Sequence, residues 1–339
     1  MLALLLGAIA VGGGSRTLDA STQAAEETGT ISGSVRLATP DRTFEGATAQ
    51  LVALRDGAIL EDYETPEQSV PMSGEFALET AADATIDYVV VLRYAGQSYF
   101  SQVLRISPEL PTASVEFEVF ATTAEPQPLT IDATLVTLLA INRQESELTL
   151  VREDQVRLDE PIVYVGGDDG VTLRIPVPDG TLEAGGFAEA TGEYQFDGGT
   201  VTVAEPLRPG VTSILTRYTV RYQADEDEYR LRVTAPLDTA HIEIRVPERF
   251  LDGVTPRGDE AEFGPDGEFE GETLTVVQRT GPAGAGQGLV ADLEGLSGVE
   301  LASNRLASDS GAAIGTVIAL VIVAGLSIGR RRGLRRPTT

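Results

Sequence analysis

Apolar and polar residues alternate with a period of two along much of the chain, and this pattern restricts the fold more than any other feature. Residues 115–119 read VEFEV, residues 242–246 read IEIRV, and residues 214–222 follow the same pattern around two arginines. Successive side chains of a β-strand point to opposite faces, so each of these stretches has one apolar and one polar side. Such strands are typical of antiparallel sheets. The pattern therefore predicts a mostly β chain.

Turn residues separate these stretches. Asp-Gly tolerates the positive φ of tight hairpin turns, and it begins at residues 56, 169, 179, 197, 252 and 266. No stretch has the apolar period of an amphipathic helix of three turns, and the apolar run at residues 135–141 fits either a buried strand or a short helix. The predicted fold class is mostly β: two antiparallel β-sandwich domains in tandem, or three if the second region divides, and one C-terminal transmembrane helix.

The predicted transmembrane helix covers residues 311–329, which include no charged side chain. At about 1.5 Å per residue, such a helix nearly spans a hydrocarbon core of about 30 Å, and it pairs every backbone amide internally. The segment after it contains five arginines, Arg330, Arg331, Arg332, Arg335 and Arg336. Cytoplasmic flanks are rich in arginine, so residues 330–339 are predicted to be a cytoplasmic tail and the preceding chain to be extracytoplasmic.

Glycines four residues apart occur twice within this predicted helix. Gly311 and Gly315 form one pair, and Gly325 and Gly329 form the other. This spacing lets two helices approach closely in a membrane. One expectation is therefore a homodimer through the transmembrane helix.

The N-terminal segment agrees with export. Residues 2–11 form an apolar run of signal-peptide length and small residues follow it, so residues 1–25 are predicted to be a signal peptide. The pattern departs from a usual signal peptide because no positive charge precedes the apolar run. If the segment is retained, it would be a second anchor.

Composition argues against several classes of function. The chain carries 52 acidic and 25 basic residues, with a net charge of −27, whereas nucleic-acid binding requires a dense positive face. It has no cysteine, so it has no disulfide and no thiolate nucleophile. A zinc site needs several His or Cys ligands, and the single histidine, His241, lies on the polar side of a predicted strand. We therefore expect no enzyme activity, no cofactor and no nucleic-acid partner.

Calcium is the cation that this acidic chain would accept, because it binds carboxylate and carbonyl oxygens in loops. The sequence leaves the question of a metal site open. Its candidates for calcium ligands are Asp168, Asp169, Asp225 and Asp227.

Four short segments carry a family resemblance. Residues 29–35 read GTISGSV, residues 49–54 read AQLVAL, residues 73–78 read SGEFAL, and residues 88–94 read YVVVLRY. They are similar to segments of the carboxypeptidase regulatory-like, or transthyretin-like, family of extracytoplasmic β-sandwich domains. The resemblance implies an accessory module without catalysis at residues 28–123.

The remaining boundaries follow from composition. Residues 124–130 contain two prolines and are the predicted linker. Residues 131–296 are predicted to form a second β-sandwich region, either one large sandwich or two small ones, with the acidic residues 225–228 as a break or a hairpin tip. Residues 297–310 are rich in Ala, Ser and Gly and are the predicted flexible stalk.

These features together predict a non-enzymatic, single-pass prokaryotic membrane protein with its ectodomain in the periplasm or at the cell surface. We expect a protein-binding or envelope-organising module, whose partners are the lipid bilayer and another envelope protein. The first alternative is a carboxylate-based, glycosidase-like hydrolase, which would need two carboxyl groups facing each other in a cleft. The second alternative is a calcium-stabilised adhesion protein.

Overall fold

The computed structural model describes residues 28–60, 63, 65–187, 192–269 and 271–297. These residues form two compact units, the first from residues 28–36 and 44–118 and the second from residues 37–43 and 119–297. The prediction of a mostly β chain is confirmed, since strands dominate both units. No helix within the described ranges has the length and apolar character needed to cross a bilayer.

Several predicted segments lie outside the described residues. They are the signal peptide at residues 1–25, the stalk beyond Ser297, the transmembrane helix at residues 311–329 with its four glycines, and the tail at residues 330–339 with its five arginines.

The strands of the first unit are short and joined mainly by tight turns. They are β1 (Thr28–Leu37), β2 (Ala47–Arg55), β3 (Ala58–Ile59), β4 (Gln68–Val70), β5 (Glu75–Ala81), β6 (Asp87–Tyr94), β7 (Gln97–Phe100), β8 (Leu104–Arg105) and β9 (Thr112–Val119). One sheet has the order β5-β1-β9. The other has the order β3-β2-β6-β7, with β4 also paired to β2 and β8 also paired to β6.

Strand β1 lies between one antiparallel and one parallel neighbour. Its pairing with β5 is antiparallel. The amide of Thr30 donates to Pro111 O and the amide of Ala38 donates to Val119 O, so partner numbers rise together and β1 and β9 run parallel.

Most of the buried side chains of the first unit lie on one side of each sheet. Ile31 and Leu78 represent the smaller sheet, while Leu51, Val90 and Leu92 represent the larger one. A hydrogen bond also joins the two sheets, because the buried hydroxyl of Tyr88 on β6 donates to the carbonyl of Ala81 on β5 at 2.9 Å.

The second unit contains longer strands. They are β10 (Thr122–Thr123), β11 (Thr130–Asn142), β12 (Glu147–Leu158), β13 (Val163–Tyr164), β14 (Leu173–Pro176), β15 (Thr181–Gly186), β16 (Glu193–Asp197), β17 (Thr200–Ala204), β18 (Gly210–Arg221), β19 (Glu228–Thr234), β20 (Ile242–Pro247), β21 (Gly253–Arg257), β22 (Ala261–Phe263), β23 (Gly267–Phe269), β24 (Glu272–Arg279) and β25 (Gly288–Glu294). A short 3-10 turn, Glu248–Phe250, follows β20.

One large sheet organises this unit. Its order is β15-β18-β12-β11-β20-β24-β22, with β23 also paired to β24, and β11 and β20 run parallel in it. Two smaller antiparallel sheets have the orders β14-β17-β16 and β19-β25-β21. Strands β10 and β13 form a short parallel pair.

Two apolar clusters fill the second unit, and the three longest strands contribute to both. The larger cluster includes Leu148, Leu150 and side chains of β19 and β25. The smaller one includes Val156, Leu158 and side chains of β14 and β17. The unit is therefore built on a continuous sheet with two separate cores.

The period-two stretches are strands, as predicted. Residues 115–119 lie in β9, residues 214–221 in β18 and residues 242–246 in β20, with the apolar side chains buried on one side. The ambiguous run at residues 135–141 is part of strand β11. The first Asp-Gly pair joins β2 to β3, and both of its residues have positive φ, as the predicted tight turn requires.

Candidate functional site

A belt of polar side chains crosses the middle of the large sheet in the second unit. Strand β12 buries every second side chain, and in the order of the chain these are Leu148, Leu150, Arg152, Asp154, Val156 and Leu158. Thr134 on β11 and Thr216 on β18 pair with Asp154 and Arg152, respectively. All four polar side chains are buried, and Arg152 and Asp154 are 1% and 0% exposed. This polar belt separates the two apolar cores.

The guanidinium of Arg152 joins three sheets. Its Nε and Nη2 donate to the two carboxylate oxygens of Asp154 at 2.7 and 2.9 Å. Its Nη1 donates to the carbonyl of Pro176, which ends β14, at 3.3 Å, and to that of Thr234, which ends β19, at 3.1 Å. Burial alone would lower the pKa of Arg152, but the attraction of Asp154 outweighs it and raises this pKa. The arginine is therefore held charged inside the protein.

Two hydroxyls in this region differ from the rest of the belt. The Thr134 hydroxyl donates to Asp154 at 2.6 Å, whereas that of Thr216 has no hydrogen-bond partner among the described residues and that of Tyr218 lies beside Arg152. Burial raises the pKa of Tyr218, although the nearby Arg152 opposes this effect. Because the belt is closed to solvent, its chemistry is structural: it orients and neutralises charge within the protein.

A second charged cluster lies on the outer side of the sheet β19-β25-β21. The carboxylate of Asp292 is fully buried and pairs with Arg230 at 2.9 Å and with Arg257. Burial alone would raise the pKa of Asp292, but hydrogen bonds from the two arginines outweigh it and lower this pKa. A hydrogen bond to Asp292 raises the pKa of Glu228. The two carboxyl groups thus have different proton affinities, and the two arginines cover Asp292.

The single histidine belongs to a third charged group. His241 Nε2 lies 2.5 Å from Glu243 Oε1, and Arg245 Nε donates to Glu243 Oε2 at 2.7 Å. Burial alone would raise the pKa of Glu243, but the hydrogen bonds to His241 and Arg245 outweigh it and lower this pKa.

The variant Glu243→Gln tests this group. The folded pKa of Glu243 lies below its ordinary value of 4.5, so its ionised form stabilises the fold above that pH and the contribution is lost as pH falls through the folded pKa. We expect the variant to be about 1–2 kcal/mol less stable than the wild type at pH 7, and the difference to shrink on acidification. Urea unfolding at several pH values measures it.

The matched control for this test is Glu118→Gln, which removes an exposed ion pair with Arg36 and should change the free energy of unfolding by less than about 1 kcal/mol. A difference for Glu243→Gln that stays constant from neutral to acidic pH would contradict the assignment.

The first unit carries an apolar surface on the side of its six-stranded sheet that faces away from the core. We define the outer face by Val52 and Leu54 on β2, Ile59 on β3, Val89 and Val91 on β6, and Phe100 on β7. The strand register connects them, because Leu54 pairs with Ile59, Val52 with Val89, and Val91 with Phe100. Ile59 and Phe100 are 66% and 68% exposed. The row therefore crosses the sheet from β3 to β7.

The same face becomes polar toward one end of the strands. There Arg93 donates to Glu67 at 2.9 Å, and Thr48 also hydrogen-bonds to Glu67. An open cleft of about 520 Å³ lies at this end, lined by residues that include Thr48, Arg93, Tyr94 and Met72. At the other end, Arg105 donates to Asp87 at 2.6 Å.

The calcium candidates are dispersed. Asp169 pairs with Arg174 at 2.5 Å and accepts a hydrogen bond from the amide of Val171, which fits a loop stabilised by its own side chains. Asp227 accepts hydrogen bonds from the amide and hydroxyl of Ser297. Asp168 lies in the loop with Asp169, and Asp225 lies in the turn before β19. Within the part of the chain that the structure describes, no group of three or more Asp, Glu or His side chains could hold a metal ion.

Neither the polar belt nor the outer face is among the sites predicted from the sequence. Signals for both were present. Arg152 and Asp154 are in phase with the leucines of β12, so the alternation alone places them inside. Residues 88–92 read YVVVL without a polar interruption, which is typical of a strand buried on both faces.

Comparisons with known proteins give little beyond this geometry. No protein-family model and no curated protein matches the chain. Solved structures that are similar include an M1 zinc metallopeptidase from Deinococcus radiodurans, with a TM-score of 0.30, 14% identity, and coverage of 49% of this chain and 42% of that one. A mutant of an M1 zinc metallopeptidase from the same organism has a TM-score of 0.28 and 16% identity over the same shares. The chain thus spans less than half the length of these structures, and neither their fold nor their activity transfers to it.

Proposed function

We propose that this chain is a non-enzymatic, membrane-anchored envelope protein whose first unit binds a protein through the outer face. One observation carries the proposal: an apolar row crosses the sheet on the side away from the core, and its two ends, Ile59 and Phe100, are about two-thirds exposed. Contiguous exposed apolar patches on soluble domains mark interaction sites.

The sequence of β6 supports this proposal. Apolar and polar residues alternate along an antiparallel strand that has one solvent-exposed face. Strand β6 differs, because it is apolar on both sides between residues 88 and 92. Val89 and Val91 on its outer side contribute nothing to the core between the sheets. Val91 is only 8% exposed, so a partner that covers this face would remove apolar surface from water chiefly at Ile59 and Phe100. Covering Phe100 alone contributes about 2 kcal/mol.

The proposal also includes the finer architecture. The first unit would be a carboxypeptidase regulatory-like sandwich at residues 28–123, and residues 131–296 would be the second sandwich region. The uncharged run at residues 311–329 would cross the cell membrane once, with the arginines after it in the cytoplasm and both units outside. Support comes from the two compact units, each with its own sheets, and from the charge pattern of the C-terminal segment.

Photo-cross-linking tests the proposed binding face. A photoreactive amino acid is placed at position 100 of the full chain and, as the matched control, at position 263, because Phe263 is another exposed phenylalanine on a strand, 60% exposed. In native membranes we expect a discrete protein adduct from position 100 and none from position 263. Equal labelling at both positions, or none at position 100, would refute the proposal.

A further inference from the structure

We infer that the partner of the outer face is a second copy of this chain, with two copies packing this face against each other about a two-fold axis. This inference rests on the proposed function, since it names the occupant of the same face. It does not involve the glycines of the predicted transmembrane helix.

Charge singles out this face for self-association. The whole chain carries a net charge of −27, so most pairs of its surfaces repel each other. On the outer face each charged side chain of the two central strands has an opposite partner: Arg93 pairs with Glu67 at one end, and Asp87 pairs with Arg105 at the other. Between these ends, the outward residues of β6 are Val89 and Val91. These four side chains therefore add no net charge to an interface between two copies.

The order of these charges also suits a two-fold axis. A two-fold interface uses the same patch on both copies, so the patch must be complementary to itself. An axis that runs across the strands between Val89 and Val91 places the Arg93–Glu67 end of one copy over the Arg105–Asp87 end of the other. On β6, Arg93 of one copy then lies over Asp87 of the other, and Val89 lies over Val91. Two sheets pack in this way with their strands within about 30° of each other.

A different, basic partner would fit this face less well. Such a partner would be attracted by unpaired carboxylates around the binding site. Here Glu67 and Asp87 are already neutralised by arginines of the same chain. The outward residues of β6, with paired charges at both ends, thus match the same strand of a second copy.

Analytical ultracentrifugation of the detergent-solubilised full chain tests the inference. We expect the wild type to dimerise, Phe100→Ser to raise the dimer dissociation constant at least about 10-fold because the residue is used twice in the interface, and the control Phe263→Ser to leave it unchanged. Both side chains are exposed, so neither variant loses core packing. Far-ultraviolet circular dichroism confirms that both variants remain folded.

Thiol cross-linking locates the interface independently. The chain has no cysteine, so Phe100→Cys introduces a single thiol. Position 100 is level with Val91 and therefore close to the proposed axis, and packed sheets lie roughly 10 Å apart. A bifunctional thiol reagent of that length should join two copies of Phe100→Cys, whereas it should leave Phe263→Cys without a covalent link between copies.

Three results of the two dimerisation experiments would overturn the inference. They are a monomeric wild type, a dimer that Phe100→Ser leaves intact, and equal cross-linking of the two cysteine variants. If the chain is monomeric while position 100 still photo-cross-links to a different protein, the proposed binding function stands and only the second copy is excluded. If position 100 labels nothing, both proposals fail.

Discussion

Replacing Asp154 by asparagine is expected to destabilise the second unit by about 3–5 kcal/mol, because it leaves the buried guanidinium of Arg152 without its counter-charge. Asp154 supplies both carboxylate oxygens that the guanidinium contacts and also accepts the hydroxyl of Thr134. Since the free energy of unfolding of a domain is only about 5–15 kcal/mol, this loss should be a large fraction of the total. Urea unfolding of the full chain, followed by circular dichroism, measures it.

The same two strands offer a matched control. Arg157 on β12 forms a bidentate ion pair with Asp132 on β11, but the Arg157 side chain is partly exposed. Asp132→Asn should therefore lower stability by less than about 1 kcal/mol. If Asp154→Asn is no more destabilising than Asp132→Asn, the belt is not the structural element that its burial indicates.

A double variant separates the ion pair from the space it fills. Arg152→Met combined with Asp154→Leu replaces both charges by apolar side chains, and buried ion pairs replaced in this way often lose little or no stability. We expect the double variant to be more stable than Asp154→Asn. A double variant that is less stable than the single one would show that the contacts of Arg152 with the carbonyls of Pro176 and Thr234 contribute more than its pairing with Asp154.

Replacing Gly74 by alanine should destabilise the first unit by about 3 kcal/mol. Gly74 has a φ of +79° and leads into β5. A Cβ atom there would lie 2.3 Å from the carbonyl oxygen of Val35 on β1. The left-handed backbone alone contributes about 1–2 kcal/mol, and the collision with a backbone atom of β1 adds a similar amount. Thermal or urea unfolding of the full chain measures the loss.

Gly96 provides the control for this effect. It has a similar φ of +76° in the turn between β6 and β7, but a Cβ atom there would meet nothing within 4 Å. Gly96→Ala should therefore be destabilising by about 1–2 kcal/mol, the backbone contribution alone. Equal losses for the two variants would mean that the close approach to Val35 is relieved by a local shift of the chain.

The strands and many of the turns could be predicted from the sequence because both depend on local properties. Apolar and polar side chains alternate along residues 115–119, and a β-strand is the structure that places these apolar side chains on one face. The Asp56-Gly57 pair tolerates positive φ and so predicts a hairpin turn. These properties need no knowledge of what packs against the strand.

The candidate sites were predictable only in part. The acidic clusters around Asp169 and Asp227 were visible as possible ligands, but their partners, Arg174 and Ser297, are known only from the fold. The interior position of Arg152 could have been read from the phase of β12. Its contacts with two other sheets could not, because Pro176 and Thr234 are 24 and 82 residues away in sequence.

The sequence by itself determined that the described chain is mostly β, which side of many strands is buried, and where several tight turns lie, because side-chain periodicity and backbone preference act over a few residues. Only the tertiary structure decided that β1 pairs in parallel with β9, that one large sheet serves two cores, and that Arg152 joins three sheets between them. Alternation shows which face of a strand is apolar but not which surface covers it. That choice depends on pairings between distant segments, which form together as the whole unit packs.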